Sequence, residues 1–169
     1  MGDRLNIQLI YTSFEDEVQS LHIYSHWGGH RILSRGLSDA IQAGRGRWDD
    51  QSYLGRIILS QLVGEDWNQN LSWGLSPDYV DSEYPDLKVY LKQNIVVYAG
   101  IPYSFDEIAE DVAWSDRAYG RAYRNFEKTY VDTETEDCEY QRYKAWIKET
   151  RRTTIDTSLI TEKGANIDE

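Results

Sequence analysis

The hydrophobic pattern changes period between Ser25 and Gly29, and that switch constrains the N-terminal half of the chain more than any other feature. Leu21 and Ile23 alternate with His22, Tyr24 and His26, the period of two that a β-strand requires. Beyond Gly29 the apolar residues Ile32, Leu33, Leu37, Ala40 and Ile41 fall on one stripe of a helix. A strand therefore runs into a helix through Trp27-Gly28-Gly29. The first turn of a helix carries N–H groups without intrahelical partners and the positive end of its dipole, so such a junction can receive an anion. Two glycines allow close approach to the backbone, and Arg31 and Arg35, one turn apart, suit bidentate recognition of phosphate or carboxylate. A plain tight connection would use the same glycines for another reason. Neither G-x-x-x-x-G-K-[ST] nor G-x-G-x-x-G occurs in the chain, so neither familiar phosphate loop supports the anion reading.

The same periodicities organise the rest. Leu5, Ile7, Leu9 and Tyr11 predict a first strand, turned back by Glu15-Asp16-Glu17 into the strand that ends at His26. The first helix runs to about Ala43, where Gly44-Arg45-Gly46-Arg47 breaks it. Trp48-Asp49-Asp50 then offers an N-cap for a second helix with the stripe Tyr53, Leu54, Ile57, Ile58 and Leu62, closed by Gly64. The stretch 65–86 reads as a long loop, with a short strand near Leu71 to Leu75. Residues 87–92 and 95–99 form a second hairpin turning at Gln93-Asn94. Ser104-Phe105-Asp106-Glu107 is a capping box opening a helix that turns Ile108 and Val112 inward. Tyr119, Tyr123, Phe126 and Tyr130 make one aromatic helical stripe; an acidic loop around Cys138 and a last helix near Tyr140 to Ile147 follow. The expected fold is α+β: an antiparallel sheet built from two hairpins, helices packed on it, and a helical C-terminal section. One globular domain over 1–152 is expected, with 153–169 as a flexible tail.

Composition narrows the function classes. A net charge of −11 argues against general nucleic-acid binding and against anionic membrane surfaces, both of which need a positive field. Thirteen tyrosines and six tryptophans against three phenylalanines favour wet aromatic surfaces over a deep aromatic core. Lone Cys138 excludes an internal disulfide and suits a reducing compartment. No apolar run reaches the roughly 20 residues needed to cross a bilayer, and no signal-peptide pattern is seen, so a cytoplasmic protein is expected, without membrane partners.

His22, His26 and His30 raise metal or acid/base chemistry, yet the strand ends before His30 and no familiar ligand spacing is present; no metal and no cofactor are expected. No G-x-S-x-G elbow occurs. The arginines are more informative: Arg31, Arg35, Arg45, Arg47 and Arg56 precede the first lysine, Lys88. Pairing with neighbouring carboxylates is the plain alternative to a focused positive cleft.

Tyr24-Ser25-His26-Trp27-Gly28-Gly29, followed by Arg45-Gly46-Arg47-Trp48-Asp49-Asp50 and Tyr53-Leu54-Gly55-Arg56-Ile57-Ile58, resembles a group of small bacteriophage and prophage proteins that share a Tyr-Ser-His-Trp-Gly-Gly motif. The resemblance spans roughly residues 5 to 100. That group carries no established activity, so it implies a phage context, in which small proteins often counter host defence. The leading expectation is non-catalytic sequestration of a small anionic, nucleotide-derived ligand. Gly28 and Gly29 would offer N–H groups, Arg31, Arg35, Arg45 and Arg47 would neutralise phosphate, and His26, Trp27 and Trp48 would contact base or sugar. The alternative is an acidic inhibitor of a host protein, acting as a nucleic-acid mimic. Self-association into a homo-oligomer stays open.

Overall fold

The first strand, β1 (Leu5–Thr12), has partners along both edges, and this places it inside the sheet. In the computed structural model, which describes residues 3–111, 114 and 116–118, the other strands are β2 (Val18–Ser25), β3 (Trp73–Ser76), β4 (Leu87–Tyr90), β5 (Ile95–Tyr98) and β6 (Ile101–Ser104). Their order across the sheet is β3-β2-β1-β4-β5-β6.

Both predicted hairpins are present, β1 with β2 and β4 with β5. They join through a parallel pairing of β1 with β4, in which Ile7 lies beside Leu87 and Leu9 beside Val89. The sheet is therefore mixed, a correction to the antiparallel expectation. Apolar alternation tells which face a strand buries; it carries no information about the direction of its neighbour.

The apolar set of Leu5, Ile7, Leu9, Ile23, Leu87, Val89, Val96 and Tyr98 forms one core cluster with the helices. The helical stretch 29–43 comprises α1 (Gly29–Arg31), a π-helical turn over Ile32–Gly36 and α2 (Leu37–Ala43), with Leu37 N–H reaching back to the Ile32 carbonyl. Its predicted stripe, Ile32, Leu33, Leu37, Ala40 and Ile41, is buried throughout. After a 3-10 turn over Arg45–Arg47 comes α3 (Gln51–Val63), whose N-cap Asp50 accepts the Tyr53 N–H. Gly64, at φ +56°, ends it. The capping box predicted at Ser104 opens α4 (Phe105–Glu110), and Ser38 ties α2 to α4 by donating to the Ile108 carbonyl at 2.8 Å.

Two strands depart from expectation. β3 lies slightly later than Leu71 to Leu75, and β6 replaces part of what reads as a connection. Ala99 and Gly100, both at positive φ (53° and 79°), make the tight two-residue turn that a hairpin favours. Val112, the aromatic stripe from Tyr119, the acidic loop around Cys138, the last helix and the tail lie outside the described residues. No helix among the described residues is long and apolar enough to cross a membrane.

At the end of β1, past its last partner in β4, Gln51 extends the sheet with its side chain. Its Oε1 accepts the Thr12 N–H at 2.9 Å while its Nε2 donates to the Thr12 carbonyl at 2.6 Å, the pattern of a neighbouring strand. Gln51→Ala should therefore destabilise the fold by about 1–3 kcal/mol in urea unfolding, because two backbone groups lose their partners.

Candidate functional site

The Tyr24–Gly29 motif closes one end of the sheet. Tyr24 Oη and His26 Nδ1 are 2.8 Å apart, and the His26 ring meets Trp27 edge-on at 4.6 Å between centroids. Trp27 itself is 58% exposed. Behind this aromatic step the backbone N–H groups predicted to face a ligand are already engaged. Gly28 donates to Ser25 Oγ at 2.9 Å, Gly29 donates to the Asp3 carbonyl at 2.9 Å, and His30 donates to the Asp3 carboxylate at 2.9 and 3.1 Å. Tyr84 Oη donates to the same carboxylate.

The protein thus supplies its own anion to the helix N-terminus, from a residue earlier in the chain. The glycines are also accounted for. A Cβ on Gly28 would lie 2.5 Å from Ser25 Oγ, and one on Gly29 would overlap the Tyr84 ring and come within 2.9 Å of Asp3 Oδ1. These positions need glycine because Ser25, Asp3 and Tyr84 pack there.

The four predicted arginines do not converge. Arg31 donates to the Leu62 carbonyl near the end of α3 at 3.2 Å, and Arg35 pairs with Asp39 at 3.0 Å on the exposed side of the helix. Arg45 pairs with Asp106 and lies 5.1 Å from the Trp48 ring; Arg47 lies 4.8 Å from the Tyr53 ring. Exposed pairs are easily exchanged, so pairing alone does not remove an arginine from ligand binding. Separation is the stronger obstacle: the helical stretch 29–43 is about 20 Å long at 1.5 Å per residue. Gly28 and Gly29 stand at one end of it, and Arg45, Arg47 and Trp48 follow the other.

That far end holds a cleft of about 580 Å³. Phe14 from the β1–β2 turn and Trp48 supply its aromatic lining, Leu91 its buried apolar part, and Asp49, Asp50 and Lys92 its charges. Trp48 is fixed by its Nε1–H to the Ile41 carbonyl at 3.1 Å and by an edge-on contact with Phe105 at 5.3 Å. Lys92 reaches Asp16 at 3.3 Å. Among the described residues no cation pairs with Asp49 or Asp50, so the cleft is acidic. Of the predicted site residues only Trp48 lines it. Phe14 is fully exposed, and a lone phenylalanine beside an acidic turn was the sequence signal for this wall.

Among the described residues no group of three or more His, Cys, Asp or Glu side chains is placed to hold an ion. His22 is buried on the sheet face opposite the main core. Asn6 Oδ1 accepts the Val80 N–H at 3.3 Å, which turns the Asn6 amide nitrogen toward His22 Nδ1, 2.9 Å away. Asn6 therefore donates, and His22 is neutral with its proton on Nε2. Burial lowers its pKa below the ordinary value, partly offset by Asp86 and Asp78, with Lys88 lowering it further.

No protein-family model matches the chain, and no curated protein and no solved structure matches it either.

Two predictions test these assignments. Asp3→Ala should cost about 1–2 kcal/mol through loss of the helix-terminal acceptor, and Gly29→Ala about 1–3 kcal/mol through overpacking, both read by denaturant unfolding. A ligand-contact role alone would leave both stabilities unchanged. For His22 the unfolded chain binds a proton below about pH 6.5 while the folded protein resists it. The stability due to neutral His22 is present above that pH and lost as pH falls. The melting temperature should drop between about pH 7 and about pH 5.5, and drop less in His22→Gln.

Proposed function

We propose that the protein is a non-catalytic binding module whose acidic, aromatic cleft takes a basic segment of another protein. The observation that carries this reading is the cleft itself, which Asp49 and Asp50 line together with Trp48 and Phe14. An arginine or lysine head would meet carboxylate on one side and ring faces on the other, and cation–π contact adds to the ionic attraction once water is displaced. The overall charge of −11 would steer a basic partner toward this surface. With the phage resemblance, the partner would be a host protein and the effect inhibition, as an acidic surface competing with nucleic acid for the same basic segment.

Sequestration of a small anionic nucleotide-like ligand is the second reading. It draws on the density of arginine between Arg31 and Arg47, and it draws less from the geometry, because the helix N-terminus is filled by Asp3 and the arginines stand apart.

Calorimetric titration with arginine-rich and lysine-rich peptides, beside thermal shifts with a nucleotide panel, separates the two. Basic peptides should bind, and Phe14→Ala combined with Asp49→Lys, both exposed changes, should weaken them about tenfold or more. Nucleotide stabilisation that disappears in Arg31→Ala or Arg35→Ala, with no peptide binding, would overturn the proposal in favour of the second reading.

A further inference from the structure

The sheet has two edges, and among the described residues only one of them is closed. At the β6 edge the Phe105 N–H bonds the Asn94 carbonyl, so by the alternation of an antiparallel ladder Tyr103 and Ile101 face β5 while Ser104 and Pro102 face outward. Pro102 has no N–H to offer, and the Ser104 N–H is taken by Glu107 Oε2 at 2.6 Å. That edge presents no backbone donor from either outward position, which is how natural sheets prevent further pairing.

Among the described residues the β3 edge is open. His26 N–H donates to the Ser72 carbonyl at 2.8 Å, so the pairs Tyr24 with Gly74 and His22 with Ser76 are the bonded ones, and Trp73 and Leu75 turn their N–H and C=O groups outward. No described backbone group meets them. Residues 67–77 contain no charged side chain and no proline before Pro77. Leu75 is 54% exposed and Leu71 79%. The strand itself carries neither charge nor proline to guard it.

We infer that β3 pairs antiparallel with β3 of a second copy of this chain, about a two-fold axis beside Gly74. In that register Trp73 faces Leu75 of the other copy and Leu75 faces its Trp73, so all four outward donor and acceptor pairs are used. Each exposed leucine gains an aromatic cross-strand neighbour. Gly74 meets Gly74 at the axis, a position where strand backbones come within about 4.5 Å. A shift that centres the axis on Leu75 would set Trp73 against Pro77, which has no N–H to give. Centring it on Trp73 would set Leu75 against Leu71, outside the strand. Charge permits the same partner: residues 67–77 carry no charged side chain, and the neighbouring Asp66 carboxylate is engaged by the Trp73 Nε1–H at 3.1 Å. Self-complementarity of this kind is what a two-fold interface requires. The short strand makes the dimer weak, since its area is well below that of a standard stable interface.

Sedimentation velocity across a range of protein concentration tests this on the full chain. The wild type should move from the 19.7 kDa chain mass toward twice that value as concentration rises. A Cβ at Gly74 lies in ordinary contact with Tyr24 at 3.8 Å, so Gly74→Lys and Gly74→Glu should fold with the wild-type circular dichroism spectrum. Each would place like charges opposite one another at the axis and weaken its own dimer about fivefold, while an equimolar mixture of the two should associate again. A wild type that stays monomeric, charged variants that dimerise as well as wild type, or a mixture that fails to recover association would each overturn the inference.

Discussion

The backbone of β1 is the constraint on which the rest of the fold depends. It is bonded to β2 along one edge and to β4 along the other, and it carries buried residues on both faces: Leu5, Ile7 and Leu9 toward the helices, Asn6 and Ile10 toward the opposite side. A strand in that position must have every N–H and C=O satisfied by its neighbours, so the two hairpins cannot drift apart without unpairing it. The helices lie where they do because this strand and its partners present one continuous apolar face.

The ends of the sheet solve different problems. At the end where β2 gives way to α1, a positive helix terminus meets Asp3: the His30 N–H and the Tyr84 hydroxyl hold its carboxylate, and the Gly29 N–H bonds its carbonyl. An internal anion satisfies the dipole and the free N–H groups together. At the other end the chain turns three times in close proximity, at the β1–β2 turn, before α3 and after β4, and no described side chain fills the space between them. A filled terminus contributes to stability, and the acidic cleft is where binding is proposed. The sequence motif that stands out is thus at the stabilised end, and the recognition surface proposed above is at the other.

The opposite face of the sheet has its own logic. Buried Asn6 and His22, with the Val80 N–H, form a hydrogen-bonded chain that ties the 77–86 loop to β1 and β2. A buried, neutral, hydrogen-bonded histidine is a structural element with a pH dependence.

The sequence by itself determined the local elements. The strand period of Leu5–Tyr11, the helical stripe from Ile32 to Ile41, the Asp50 cap and the Ser104 capping box all appear as read, because each depends on residues within a few positions of one another. β6 escaped notice because its turn uses Ala99-Gly100 in place of the asparagine that usually marks such hairpins, and because Pro102 argues against a strand. Tertiary structure alone decided that β1 and β4 run parallel, that Asp3 reaches the helix terminus, that the arginines separate along a helix, and that Phe14, Trp48 and Asp49 share a cleft. Each of these is a meeting of segments far apart in the chain. Periodicity records which face of an element is buried, and it leaves open what that face, edge or end will meet.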